Sequence, residues 1–178
     1  MHTTSGIENF TCVKTFDKTL PVSGGEISLC AVDENTAYTA YFSMDGENIL
    51  VEYTTDAGEN WKDTEVSYAS YGGAYKAYLS FADREHGYLL YCSDPGAGMM
   101  TKILFSTEDG GETWQSMELP RYDVKDSLYI EGTAPVFFGE NQKQGKLLLQ
   151  YVTAEKRNTI LYTSEDGGET WTPQQELE

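Results

Sequence analysis

The sequence predicts an all-β protein in which one four-stranded antiparallel sheet is made three times. Three observations carry that expectation. A turn segment recurs as Thr54-Thr55-Asp56-Ala57-Gly58-Glu59-Asn60-Trp61, Thr107-Glu108-Asp109-Gly110-Gly111-Glu112-Thr113-Trp114 and Ser164-Glu165-Asp166-Gly167-Gly168-Glu169-Thr170-Trp171. Each copy follows a short run rich in β-branched and aromatic residues, Ile49 to Tyr53, Ile103 to Ser106 and Ile160 to Thr163. No apolar pattern of helical period persists anywhere along the chain.

In chain order, residues 1–26 read as a tail with one strand candidate around Asn9–Phe16. Residues 27–178 read as the repeat domain, with units at about 27–66, 77–119 and 133–177. The first two units align without gaps from Ile27–Phe42 onto Ala77–Cys92, placing Asp33 on Asp83 and Tyr38 on Tyr88. In the second unit the strands are expected at roughly 76–82, 87–92, 101–107 and 113–119. The third unit is looser, with Asn141 where the others carry aspartate and Gly145 over Gly87.

Turn chemistry explains the recurring residue types. A glycine pair supplies the positive φ values of a tight connection. An aspartate accepts backbone N–H bonds, and a Ser or Thr hydroxyl two residues earlier adds another. The tryptophan opens the next strand and folds back as an apolar plug. Thr54, Asp56, Gly58 and Trp61, then Thr107, Asp109, Gly111 and Trp114, then Ser164, Asp166, Gly168 and Trp171 are therefore expected to be structural.

These segments resemble the Asp-box, or bacterial neuraminidase repeat, with the pattern Ser/Thr-x-Asp-x-Gly-x-x-Trp. The resemblance spans about residues 27–177 and implies β-propeller blades. Families with this repeat include sialidases, sortilin-type receptors and photosystem II assembly factors, so the repeat does not choose a function. Three blades do not close a ring, which takes roughly four to eight. Either two chains complete a six-bladed ring as a homodimer, or the sequence is an excerpt of a longer chain.

In a blade meander the Asp-boxes mark one end, leaving the other end as the ligand face. Its loops are expected at about 43–48, 67–76, 93–100, 119–132 and 153–158. Candidate ligand residues are Tyr68, Tyr71 and Tyr75 in the first long loop, then Arg121, Tyr122 and Asp123, and finally Arg157. Tyrosines beside Arg and Asp suit a carbohydrate or a protein ligand, because rings cover apolar faces while charges fix hydroxyls or carboxylates. The competing reading is that the tyrosines pack between blades and the charges are solvated.

Other chemistry is disfavoured. A net charge of −17 repels nucleic acid, and no apolar run is long enough to span a membrane. Cys30 and Cys92 sit in apolar runs and read as buried hydrophobes. The acidic turns lack the alternating carboxylates of a calcium loop, and no Cys–His metal motif is present, so no metal or cofactor is expected. The sialidase resemblance implies an arginine triad, a tyrosine nucleophile assisted by glutamate and an aspartate acid/base. The three arginines here are Arg84, Arg121 and Arg157, and Arg84 falls on the Asp-box side, so one chain does not assemble the triad. Tyr129 and Glu131 are spaced to share a strand face, without further support. No catalytic residue is assigned. The expectation is a non-catalytic Asp-box module, with a sialidase-like glycosidase fragment and an assembly factor as alternatives. The company such repeats keep implies an extracellular or cell-envelope location.

Overall fold

The computed structural model describes residues 27–44, 46–68, 73–93, 102–120, 122 and 128–177. They form three antiparallel sheets. The first comprises β1 (Ser28–Ala31), β2 (Ala37–Phe42), β3 (Asn48–Thr54) and β4 (Lys62–Ser67), in that order. The second repeats it with β5 (Ala74–Phe81), β6 (Gly87–Ser93), β7 (Lys102–Thr107) and β8 (Gln115–Met117). The third holds β9 (Leu128–Gly132), β10 (Val136–Phe138), β11 (Gln144–Val152), β12 (Arg157–Ser164) and β13 (Thr172–Leu177). The helix among the described residues is a single 3-10 turn at Glu140–Gln142.

Two boundaries differ from expectation. The third unit starts at Leu128 instead of Thr133, because its first strand is broken in two. Both β9 and β10 pair with β11. The break falls at Thr133–Pro135, where proline brings no N–H to the ladder. Thr133 bridges the gap by donating its N–H to Leu148 O at 3.0 Å and accepting the Leu148 N–H at Oγ1 at 3.3 Å. The fourth strand of each sheet begins one residue after the tryptophan, at Lys62, Gln115 and Thr172. The delay has a cause, since the preceding backbone N–H groups are bonded to the turn aspartate.

Burial tells which sheet lies in the middle. Every residue of β6 is buried, so the second sheet is covered on both faces. β11 alternates between buried and more exposed positions, as in a sheet with one open face. Two cores result. Tyr38, Ala40, Phe42 and Val51 meet Leu79, Leu89, Tyr91 and Phe105 between the first and second sheets. Tyr88, Leu90 and Leu104 meet Leu147, Leu149, Ile160 and Tyr162 between the second and third.

One device recurs at both seams. Tyr38 stacks on Phe81 of the next sheet at 3.5 Å between centroids and donates its hydroxyl to Arg84 O at 3.2 Å. Tyr88 stacks on Phe137 at 4.9 Å and donates to Gly167 O at 2.5 Å. Gly87 pairs with Phe81 and Gly145 with Phe137, leaving room for each ring, whereas the same register position in the first sheet pairs Ala31 with Ala37. Burial pushes the Tyr38 and Tyr88 phenols up to about 12, so both stay neutral donors at physiological pH.

Candidate functional site

The three repeated turns have one geometry. Thr54 Oγ1 donates to Asp56 Oδ1 at 2.8 Å and accepts the Gly58 N–H at 2.9 Å. Asp56 Oδ1 accepts the Asn60 N–H at 2.9 Å. Thr107, Asp109, Gly111 and Thr113 reproduce the set, as do Ser164, Asp166, Gly168 and Thr170. The residue after each aspartate donates its N–H to the first-to-second turn of its own sheet. Ala57 reaches Asn35 O at 2.9 Å, Gly110 reaches Glu85 O at 2.9 Å and Gly167 reaches Lys143 O at 2.8 Å. Trp61 and Trp114 donate Nε1 to Gly58 O and Gly111 O at 3.2 and 3.1 Å. Trp171 is buried without such a bond among the described residues, edge-on to Tyr88 and Phe137.

The hydroxyl and the aspartate carboxylate of each turn are committed to the fold. Burial pushes the Asp166 carboxyl up, but hydrogen bonds from Thr170 and Ser164 together outweigh it and bring it down to about 2. The same balance lowers Asp109, and hydrogen bonds from Asn60 lower Asp56. A carboxylate held ionised by its own turn has no proton to give at neutral pH.

Uncommitted chemistry gathers at the other end of the sheets. The innermost strands of the second and third sheets each carry a one-residue register shift, between Ala74 and Lys76 in β5 and opposite Gln150/Tyr151 in β9. Such bulges re-aim side chains. Immediately after them stand Lys76 and Glu131, paired with Cys92 and Gln150 and so equivalent in register. They join across the seam, with Lys76 Nζ donating to Glu131 Oε1 at 2.7 Å and Tyr78 OH donating to the same oxygen at 3.0 Å. Hydrogen bonding to Glu131 raises the Lys76 pKa, and the bond from Lys76 lowers that of Glu131. Burial and then Glu131 push the Tyr78 phenol up to about 12. The Glu131 side chain remains 38% exposed.

A second cluster adjoins it. Lys102 bonds the Tyr151 hydroxyl and lies over the Tyr151 and Tyr162 rings, 4.8 and 5.3 Å from their centroids. Tyr162 donates to Pro120 O at 2.9 Å.

The residues expected at the ligand face are dispersed. Tyr68 is buried, stacked on Tyr91 at 5.0 Å and edge-on to Phe42, and so belongs to the first core. Tyr75 lies in β5 beside its register shift. Tyr122 packs half-buried against the second core. Arg157 opens β12, is exposed and helps electrostatically to lower the Glu131 pKa. Tyr71, Arg121 and Asp123 lie outside the described residues. Arg84 stands at the Asp-box end, its Nε 2.6 Å from Asp33 Oδ2. The register shift in β9 breaks the alternation on which the Tyr129–Glu131 pairing depended. Sequence reasoning missed Lys76, Tyr78 and Lys102. The one available signal was alternation, which puts Lys76 and Tyr78 on one face of β5.

Among the described residues no helix is long and apolar enough to cross a membrane, and no group of three or more His, Cys, Asp or Glu is placed to hold a metal. The BNR/Asp-box repeat family matches residues 162–173. The chain is similar to a sialidase of Bacteroides fragilis (strain YCH46), 28% identical over 134 residues, covering 73% of this chain and 23% of the sialidase. In structure it is similar to the GH93 α-L-arabinofuranosidase of Fusarium graminearum, solved with arabinobiose, at a TM-score of 0.59 and 14% identity. That match covers 92% of this chain and 52% of the other. The α-L-arabinanase of Penicillium chrysogenum, also with arabinobiose, gives a TM-score of 0.54 at 14% identity, covering 84% and 48%. The chain thus spans about a quarter of the sialidase and about half of each solved enzyme. With three turns of one geometry on three equivalent sheets, the chain carries the BNR/Asp-box repeat and is built of β-propeller blades.

Proposed function

We propose that the end of the blades opposite the Asp-boxes binds a carbohydrate, with Lys76, Tyr78 and Glu131 as its polar anchor. The observation that carries this reading is the Glu131 carboxylate. Among the described residues its hydrogen bonds fall on Oε1 alone, and a partly exposed carboxylate with one oxygen held and one unclaimed is a ready acceptor for sugar hydroxyls. Lys102 with Tyr151, and Tyr122, supply cation and ring surface alongside. Tyr71, Tyr75, Arg121, Asp123 and Arg157 join the proposed ligand set by chain position, while Tyr68 does not. The similarity to a sialidase supports a saccharide ligand and an extracellular or cell-envelope setting; a protein ligand on the same face is the competing outcome.

A glycan array probed with the purified chain tests it. The expected result is a defined set of saccharide hits, weakened about 10-fold by Glu131→Gln through loss of one charge-assisted hydrogen bond. No saccharide hits, or hits indifferent to Glu131→Gln, would refute it.

One observation favours a glycoside hydrolase fragment as the second reading. Tyr78 and Glu131 form a tyrosine–glutamate hydrogen bond of the kind the sialidase resemblance implies. Against it, Arg84 is held by Asp33 at the far end, so a triad needs arginines from outside this chain. Release of fluorophore from a fluorogenic sialoside by the purified chain, abolished in Tyr78→Phe, would establish the second reading over the first.

A further inference from the structure

We propose that the ring is closed head to tail by a second copy of this chain, through a seam between the inner strands of the first and third blades. This rests on reading the chain as half of a six-bladed propeller. Among the described residues the exposed large hydrophobics are Ile27, Leu29, Met44, Val136 and Phe138. All but Met44 lie on or beside the innermost strand of a terminal blade. Ser28 accepts the Leu79 N–H of the second blade at 2.9 Å, so alternation turns Ile27, Leu29 and Ala31 the other way. Phe137 packs on Tyr88 and Trp171, so Val136 and Phe138 also turn away from the second blade. Leu29 is 57% and Val136 61% exposed, whereas Thr39, Tyr41 and Leu50 on the first blade's outward face are buried. Among the described residues the large apolar side chains left open are therefore, Met44 apart, on or beside the two inner strands.

These two faces are complementary in bulk. At the internal seams the incoming strand presents Phe81 or Phe137, but the first blade has Ala31 at that register position. The outgoing side changes in the opposite sense. Cys30 and Ser80, paired with the seam tyrosines, correspond to Val136, and the following small residue in the second blade, Ala82, corresponds to Phe138. A ring lost from one free face is matched by bulk gained on the other. Charge agrees. The seam tyrosines Tyr38 and Tyr88 correspond to Lys146, which lies over the Phe138 ring at 5.2 Å. Tyr38 reaches the turn at Arg84, and the gapless alignment puts the acidic Glu34 at that position in the first blade. Lys146 of one copy thus meets the Glu34 turn of the other. The contact is heterologous, and on the six-bladed reading two sets of three blades close the ring.

Light scattering coupled to gel filtration tests the seam. The expected mass is about 40 kDa, twice the 19.9 kDa of one chain. Leu29→Asp and Phe138→Asp, both at exposed positions and so compatible with folding, are each expected to give the single-chain mass with an unchanged circular dichroism spectrum. Mixing the two variants restores the larger mass, because one seam of the mixed pair then has both native faces. Lys146→Glu weakens association and Glu34→Lys in the same chain restores it. A single-chain mass for the unaltered protein at all concentrations, a ladder of larger masses, or no recovery on mixing would overturn the proposal. The glycan array reads the other end of the blades. A monomer that still binds saccharide sinks this seam alone, and a dimer that binds none sinks the binding reading alone.

Discussion

Substituting Gly87 by alanine probes the seam device directly. A Cβ built at Gly87 would lie 2.7 Å from Phe81 Cδ1 and closer still to Cε1 and Cζ. Ordinary carbon contact is about 3.5 Å, so the ring must retreat by about 1 Å. It has nowhere to go: Tyr38 stacks on it at 3.5 Å and Trp114 meets it edge-on at 6.1 Å. Overpacking of this kind costs about 1–3 kcal/mol, and the trapped ring puts Gly87→Ala near the upper end. Removing a strand glycine returns about 0.5–1 kcal/mol of chain entropy, leaving a net loss of about 2 kcal/mol. For a chain of this size that is a fall in Tm of about 4–8 °C. Phe81→Ala alone is expected to cost about 3–5 kcal/mol. The double variant Gly87→Ala/Phe81→Ala rebuilds the Ala31–Ala37 pair of the first blade and removes the clash. It should therefore be more stable than the sum of the singles by about 2 kcal/mol in a double-mutant cycle. Urea unfolding followed by fluorescence measures all four proteins. A Gly87→Ala variant within about 0.5 kcal/mol of the unaltered protein, or strict additivity, would show that close packing of Phe81 is not what holds glycine at this position.

Two further predictions concern the turns. Ala57 holds φ at +59°, where Gly110 and Gly167 stand in the other two copies, so Ala57→Gly should raise stability by about 0.5–1 kcal/mol in the same urea assay. The turn aspartates bind protons less readily folded than unfolded, so their stabilisation is complete above the ordinary carboxylate range and is lost as pH falls from about 4 to about 2, the folded value of Asp166. A Tm profile against pH should drop across that window and flatten in Asp166→Asn; an unchanged profile in the variant would contradict the assignment.

The fold was legible because its information is local. A turn aspartate, a hydroxyl two residues before it, a glycine two residues after it and a tryptophan further on interact within eight residues, and their hydrogen bonds recur on Asp56, Asp109 and Asp166. The alternation of apolar residues likewise needs no partner to be recognised. Boundaries are not legible where a non-local bond intervenes: Thr133 is no strand start, because its two bonds to Leu148 of β11 carry the broken first strand across from β9 to β10.

The candidate site was not legible, and the reason is physical. Lys76 and Glu131 are 55 residues apart, on different blades, and each stands just after a register shift that no residue type announces. Tyr68 shows the converse, a tyrosine in a polar, glycine-rich stretch that the packing of Phe42 and Tyr91 draws into the core. By itself the sequence determined the secondary structure class, the three turns and the four-stranded unit, because hydrogen bonds and side-chain alternation within a hairpin decide those. Only the tertiary structure decided which polar groups remain for a ligand, because that depends on which side chains the seams between blades bury and which they bring together.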